Sequence, residues 1–148
     1  MTDFRQLSDT VWASPQITEN DVARAAEQGF ALIVNNRPDA EEPGQPDGAT
    51  IAAAARAAGV GYAEIPVGHA GFSEPQIDAM DDALANAGPD AKVLAYCRSG
   101  TRSTFLWSLA QAKAGADPDD IATAAAGAGY DVAPIRPALD MLAARADN

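Results

Sequence analysis

The segment Tyr96–Ser103 (YCRSGTRS) carries the residues of this chain that are best suited to nucleophilic chemistry. It contains the only cysteine, Cys97, with Arg98 and Arg102 close by in the sequence. A thiol attacks only as its thiolate, and both neighbouring cations and a helix N-terminus favour that form. An apolar run, KVLAY, precedes the segment and a helical pattern follows it, so both influences are expected at Cys97.

The short residues between Cys97 and Arg102 allow a tight anion-binding turn. Ser99, Gly100 and Thr101 can wind closely because glycine tolerates a positive φ. Their backbone N–H groups would then form a cradle that activates a thiolate and binds an anion against it. The alternative for a lone cysteine after an apolar strand is an inert buried residue. The combination of strand, loop and helix favours the cradle.

Composition limits the kinds of partner and site. The chain has 148 residues, 47% of them hydrophobic, which fits a single catalytic domain over residues 1–148. Ten basic residues face 21 acidic ones, and the formal net charge of -11 argues against nucleic acid and anionic membranes as partners. One cysteine excludes an internal disulfide, and one histidine, His69, argues against a zinc site. We therefore expect no metal and no cofactor.

The ends and the apolar segments of the chain suggest its location. No apolar run approaches the length of a membrane-spanning helix, and the N-terminus lacks the pattern of a signal peptide. We therefore expect a cytoplasmic protein. The sequence does not determine the oligomeric state.

Apolar and polar segments alternate as strands and helices along the chain. We expect strands within Phe4–Ala13 (one or two short edge strands) and at Phe30–Val34, Val60–Val67 and Lys92–Tyr96. We expect helices at Glu19–Gln28, from Asp47 or Thr50 to about Gly59, from Ser73 to about Asn86, at Thr101–Ala114, from Pro118, and at Pro137–Ala146. This alternation predicts a three-layer α/β fold, with a mostly parallel central sheet and helices on both faces.

Two further loops are expected beside Cys97, because open α/β sheets place their sites at the carboxyl ends of the strands. One loop is Asn35–Gln45, in which Asp39, Glu41 and Glu42 are candidates to supply a proton or orient an arginine, or are solvated carboxylates. In the same loop, Arg37 is a candidate either to bind an anion or to pair with those carboxylates. The other loop is Gly68–Phe72, in which His69 is a candidate general acid or a surface residue.

Two resemblances sharpen these expectations. The loop from Cys97 to Ser103 resembles the active-site loop of rhodanese-type sulfurtransferases, and similar loops imply a hydrogen bond from the Ser103 hydroxyl to the thiolate. The order of VWASPQIT, GFALIVNNRPDAEEPGQP, GYAEIPV and VLAYCRSGTRS resembles the phosphatase-like domain of beta-lactamase-hydrolase-like proteins, over about Phe4–Leu142. The second resemblance implies a protein-tyrosine-phosphatase-like fold, of the dual-specificity type, and an association with sulfide-oxidising enzymes.

Two departures from the phosphatase pattern favour sulfur transfer. Tyrosine phosphatases have five residues between cysteine and arginine, whereas four separate Cys97 from Arg102. The tighter ring suits the single sulfur of a persulfide better than a phosphoryl group. Dual-specificity phosphatases carry a general-acid aspartate where this chain has Gly68-His69. That proton donor contributes roughly 10²–10⁴-fold to ester cleavage, and sulfur transfer has no equivalent need.

The sequence therefore predicts a sulfurtransferase that moves sulfane sulfur through a Cys97 persulfide. Arg98, Arg102 and the loop amides would hold a small anionic donor, and a thiol or cyanide would accept the sulfur. One alternative is a phosphatase in which Cys97 attacks a phosphomonoester, Arg102 holds the phosphoryl oxygens, and His69 or a loop carboxylate protonates the leaving group. The other is a non-catalytic anion-binding or thiol-redox sensor module.

Overall fold

A computed structural model describes residues 2–147 of the chain, which fold around a five-stranded sheet. The strands are β1 (Arg5–Gln6), β2 (Val11–Ser14), β3 (Phe30–Asn35), β4 (Gly61–Glu64) and β5 (Lys92–Tyr96), in the spatial order β1-β2-β5-β3-β4. Only β1 pairs antiparallel with its neighbour; the other pairs are parallel. The predicted mostly parallel sheet is confirmed.

Helices cover both faces of this sheet. They are α1 (Glu19–Glu27), α2 (Gly48–Ala57), α3 (Glu74–Ala87), α4 (Thr101–Lys113), α5 (Pro118–Gly127) and α6 (Arg136–Ala146), with a short 3-10 helix at Ala133–Ile135. α1 and α2 pack together on one face, and α3, α5 and α6 pack around α4 on the other. The helices among residues 2–147 are too short or too polar to cross a membrane.

Local sequence signals explain where two of these helices begin. Thr18 caps α1: its hydroxyl accepts a hydrogen bond from the Asp21 N–H, and the Asp21 carboxylate accepts one from the Thr18 N–H. Gln76 accepts a hydrogen bond from the Ser73 N–H in the same way at the start of α3. These reciprocal caps satisfy N–H groups that a helix leaves unpaired.

Two strand predictions need correction. The β2 strand is internal and not an edge strand, because β1 covers its outer side while β5 pairs with its inner side. The β4 strand ends at Glu64, three residues before the predicted end at Val67. The Ile65 and Val67 N–H groups still donate to the Asn35 and Asn36 carbonyls, at 2.9 and 3.0 Å. A regular parallel ladder would use alternate acceptors and not two consecutive ones, so the regular pairing ends here.

The α4 helix is the most enclosed helix of the fold. Among its residues Leu106, Leu109 and Ala110 are buried, and the buried Leu139 and Leu142 of α6 belong to the same apolar cluster. Burial of these side chains fixes the position of α4 against the sheet. The N-terminus of α4 is consequently fixed directly after the end of β5.

Candidate active site

The sheet register brings three loops to one edge. Asn35 at the end of β3 pairs with Tyr96 of β5 on one side and with Glu64 of β4 on the other. The chain therefore leaves all three parallel strands at the same level. The loops that follow include Cys97, the acidic segment from Arg37 to Glu42, and the segment around His69.

The loop Cys97–Gly100, called the cysteine loop below, wraps around the cysteine sulfur. Cys97 is fully buried, and the Gly100 N–H donates a hydrogen bond of 3.1 Å to its Sγ. Gly100 adopts a left-handed conformation with φ of 95° immediately before α4. A Cβ atom at this position would overlap the Tyr130 hydroxyl and lie 2.8 Å from Tyr130 Cζ. Only glycine fits there, because it lacks Cβ and tolerates this φ.

The Arg102 side chain is held by groups from two neighbouring loops and also interacts with the Cys97 side chain. Its Nη1 and Nη2 donate to the two carboxylate oxygens of Glu41, each at 2.7 Å, and Nη1 also donates to the Val67 carbonyl at 2.7 Å. These contacts use three of the five guanidinium N–H groups and leave the edge formed by Nε and Nη2. The hydrogen bonds to Glu41 raise the pKa of Arg102, and a charge on Cys97 raises it further against the effect of burial.

Arg37 is almost wholly buried and pairs with the loop carboxylates. Its side chain donates to Glu41 and Glu42, both at 2.9 Å, and to Gln16 at 3.1 Å. The hydrogen bonds from Arg102 and then Arg37 lower the pKa of Glu41 to about 2 against the effect of burial. Glu41 is therefore ionised near neutral pH. Of its two predicted roles, this geometry fits orienting an arginine and does not fit supplying a proton.

The three loops enclose a cleft of about 250 Å³, lined by Glu41, Gly68, His69, Arg98 and Arg102. His69 is exposed in this cleft. The Arg98 side chain is 66% exposed and forms a 3.4 Å ion pair with Glu42 at the mouth. His69 carries the only imidazole in this set, and imidazole is the side chain that most often acts as a general acid or base.

Asp39 lies apart from the residues that line the cleft. Its carboxylate accepts a 2.8 Å hydrogen bond from the Gly48 N–H at the start of α2. This contact makes Asp39 a structural residue of the loop. Within residues 2–147, no group of three or more His, Cys, Asp or Glu residues is arranged to hold a metal ion.

Ser103 is in a different contact from the one predicted. Its buried hydroxyl donates to Asn36 Oδ1 at 2.8 Å, so its single hydrogen is not given to the Cys97 sulfur. The Asn36 side chain in turn donates to the Ile65 carbonyl at 2.9 Å. This chain of hydrogen bonds joins α4 to the segments that follow β3 and β4.

Sequence reasoning missed two residues beside the site, Asn36 and Tyr130. Asn36 stands directly after a buried strand, which was a usable signal. Tyr130 lies 31 residues from Ser99, yet its hydroxyl donates to the Ser99 carbonyl at 3.0 Å. The Ser99 side chain is exposed and that of Thr101 is half-buried. The Ser99 hydroxyl donates to Thr101 Oγ1 at 2.9 Å.

Residues 3–114 match the family model of the beta-lactamase hydrolase-like protein, phosphatase-like domain. The chain belongs to this family. A beta-lactamase hydrolase-like protein of Agrobacterium fabrum is 40% identical over 103 residues, which cover 70% of this chain and 23% of that protein. The chain thus spans about a quarter of the length of the curated relatives it matches.

Solved structures that are similar to this chain identify its fold. A protein of Neisseria meningitidis z2491, described as a "putative phosphatase", is 34% identical with a TM-score of 0.79, over 93% of this chain and 96% of that one. TpbA of P. aeruginosa, solved in complex with pTyr, is 18% identical with a TM-score of 0.66, over 98% and 90% of the two chains. The fold is that of protein-tyrosine-phosphatase-like proteins, as predicted.

The same similarities change the order of the functional predictions. The matching family and the similar structures are phosphatase-like, and they give no support to the sulfurtransferase reading that the loop length favoured. The phosphatase alternative fits them better.

Proposed function

We propose that this chain is a phosphatase that hydrolyses phosphomonoesters through a phosphocysteine at Cys97. The observation that carries the proposal is one contact of the predicted cradle: the Gly100 N–H donates to Cys97 Sγ at 3.1 Å, at the N-terminus of α4 and within a phosphatase-like fold. The Thr101 N–H instead donates to Ser99 Oγ at 3.3 Å. The N–H group and the N-terminus of α4 place positive partial charge beside the sulfur.

Arg102 is the group that would bind the phosphoryl oxygens. Its Nε and the second hydrogen of Nη2 remain after the contacts to Glu41 and Val67. Two parallel N–H groups on one edge of a guanidinium match two phosphoryl oxygens. Glu41 therefore acts as a positioning residue, because it holds the opposite edge of Arg102 in place before substrate arrives.

In the first step, the Cys97 thiolate attacks phosphorus and an S–P bond forms as the P–O bond to the leaving group breaks. The leaving oxygen takes a proton from His69, which the cleft presents to solvent. Glu41 does not serve here because its pKa of about 2 leaves it without a proton near neutral pH. Arg102 compensates the negative charge on the phosphoryl oxygens throughout.

In the second step, water attacks phosphorus, the S–P bond breaks, and the sulfur leaves as thiolate. His69, now neutral, takes the proton released by the water and is restored for the next cycle. The products are an alcohol and inorganic phosphate. The complex of the structural relative TpbA with pTyr supports a phosphoester substrate for this chain as well.

A side-by-side assay tests the proposal. Wild type, Cys97→Ser and Arg102→Lys are compared for phosphate release from para-nitrophenyl phosphate and for thiocyanate formation from thiosulfate and cyanide. We expect wild-type phosphate release that disappears in Cys97→Ser. It should fall about 10²-fold or more in Arg102→Lys, which keeps the charge but loses the paired N–H groups. Cys97-dependent thiocyanate without phosphate release would overturn the proposal and restore sulfur transfer.

A further inference from the structure

Tyr130 lies outside the matched family segment and yet contacts the cysteine loop. It follows α5, where its N–H donates to the Ala125 carbonyl at 2.9 Å, and it is only 7% exposed. The guanidinium of Arg5 covers its ring, at 5.3 Å from the ring centroid. The side chain is thus held on several sides, and its hydroxyl donates to the Ser99 carbonyl at 3.0 Å.

The Ser99 carbonyl and the Gly100 N–H belong to the same peptide unit. A trans peptide unit is planar, so its C=O and N–H point in opposite directions. The carbonyl end accepts from Tyr130, and the N–H end donates to Cys97 Sγ at 3.1 Å. Fixing the first end therefore fixes the second. Chains of hydrogen bonds also polarise one another, so the contact from Tyr130 strengthens the N–H as a donor.

The packing around Gly100 supports the same link. Its α-carbon faces the Tyr130 side chain so closely that a Cβ would overlap the hydroxyl. Burial raises the pKa of Tyr130, a charge on Cys97 raises it further, and Arg5 acts in the opposite direction. The phenol accordingly keeps the proton that it donates to Ser99.

We propose that Tyr130 is a positioning residue that acts through the Ser99–Gly100 peptide unit to hold an N–H group on the Cys97 sulfur and so favour the thiolate. The inference rests on the proposed function only in taking Cys97 as the nucleophile. The charged groups near the pair are Arg5 and Asp3 beside Tyr130 and Arg102 beside Cys97. A Tyr130→Phe substitution leaves all three in place and removes one hydroxyl.

The single cysteine makes a direct test possible. Isotopically labelled cysteine gives one Cβ resonance, whose titration by NMR reports the protonation of Cys97 without any substrate. In Tyr130→Phe we expect the titration midpoint to move up by about half a pH unit or more, and kcat for an aryl phosphate below the midpoint to fall about threefold to fivefold. Tyr62→Phe is the matched control, because its hydroxyl contacts Asn35 and Glu64 away from the cleft. It should titrate like wild type.

Thermal unfolding of each variant separates this effect from a loss of structure. A second substitution, 3-fluorotyrosine at position 130, keeps the ring and makes the hydroxyl a stronger donor, so the Cys97 midpoint should move down. A wild-type midpoint in folded Tyr130→Phe, or the same midpoint with fluorotyrosine, would overturn the inference. Failure of the proposed function looks different: wild type would release no phosphate while the Cys97 titration still responded to Tyr130.

Discussion

Glu41 and Arg102 are 61 residues apart in sequence and form the central ion pair of the cleft. The pair leaves one edge of the guanidinium available and also ties the acidic loop to α4. Because Arg37 lies behind the same carboxylate, Glu41 accepts hydrogen bonds from two arginines. Its negative charge is therefore important to both stability and turnover.

Glu41→Gln should make the unfolding free energy of the protein less dependent on pH in the acidic range. The folded state lowers the pKa of Glu41 from 4.5 to about 2, so the carboxylate contributes stability above its unfolded pKa and loses it as pH falls through the folded value. The gap in unfolding free energy between wild type and Glu41→Gln should be largest above about pH 5 and shrink towards pH 2. Urea unfolding across this pH range measures it.

Glu42→Gln is the control for that experiment, since Glu42 is more exposed and contacts Arg37 and Arg98 at the mouth. The difference in unfolding free energy between wild type and Glu42→Gln should be smaller than that for Glu41→Gln at every pH. A Glu41 gap that stays constant from neutral pH to pH about 2 would contradict the assigned ion pair.

His69→Gln should affect substrates according to their leaving groups. Hydrolysis of an alkyl phosphate expels a poor leaving group that must be protonated, so we expect kcat/KM for such a substrate to fall about 10²-fold in His69→Gln. Para-nitrophenyl phosphate has a good leaving group and should lose much less. Because His69 is exposed, the unfolding free energy should stay within about 0.5 kcal/mol of wild type. Equal losses for both substrates would exclude His69 as the general acid.

The residue types of the site were visible in the sequence, but their pairing was not. Cys97 and Arg102 are close along the chain, and the strand-loop-helix pattern around them predicts that their side chains lie near each other. Three carboxylates in one polar loop give no signal as to which one turns inward. The Asp39 carboxylate accepts a hydrogen bond from the Gly48 N–H at the start of α2, whereas the Glu41 carboxylate accepts from Arg102. Only the tertiary arrangement distinguishes them.

At the scale of elements, the junction of β5, the cysteine loop and α4 determines the geometry of the nucleophile. The strand Lys92–Tyr96 was predicted with its observed bounds, and α4 begins at the predicted Thr101. Apolar runs and glycine signals are local, which is why these elements could be predicted. The contact of Tyr130 with Ser99 depends on how α5 packs against α4, and no local signal encodes it.

Gly100→Ala should disrupt this junction. The substitution puts a Cβ into the Tyr130 side chain at a φ of 95°, where side chains are strained. We expect a loss of phosphate release of about 10²-fold or more together with a lower melting temperature. Gly127→Ala in α5 is the matched control, because a Cβ there meets nothing within 4 Å. Helix propensity predicts that the control gains about 0.5–1 kcal/mol.

Activity close to wild type in Gly100→Ala would show that the cysteine loop can adopt another conformation. In that case neither the left-handed glycine nor its contact with Tyr130 would be required. Gly127→Ala also controls for any general effect of adding a methyl group to this side of the fold.

At the scale of the whole molecule, the core extends beyond the family match. The matched segment ends at residue 114, within the bend after α4. Ile121, Leu139 and Leu142 of the following helices are buried in the same apolar cluster as α4. The helices α5 and α6 therefore belong to the folding unit that holds the site.

The net charge of -11 should oppose the approach of anionic substrates. In the cleft, Arg98 and Arg102 are already paired with Glu42 and Glu41, so little free positive charge attracts a phosphate over distance. Salt screens the repulsion, and kcat/KM for para-nitrophenyl phosphate should rise by a few-fold as ionic strength increases from about 0.01 M to 0.1 M. Arg98→Gln should lower kcat/KM most at low salt. A rate that falls steadily with salt in wild type would indicate an attractive cleft.

The most direct test of the account is to look for phosphate on Cys97 during turnover. Wild type is mixed with a radiolabelled phosphomonoester, quenched rapidly in alkaline denaturant, which preserves an S–P bond, then digested and analysed by peptide mass spectrometry. We predict label on the peptide that contains Cys97, and none on Cys97→Ser. Phosphate release without a labelled cysteine, or release that persists in Cys97→Ser, would contradict the proposed phosphocysteine mechanism.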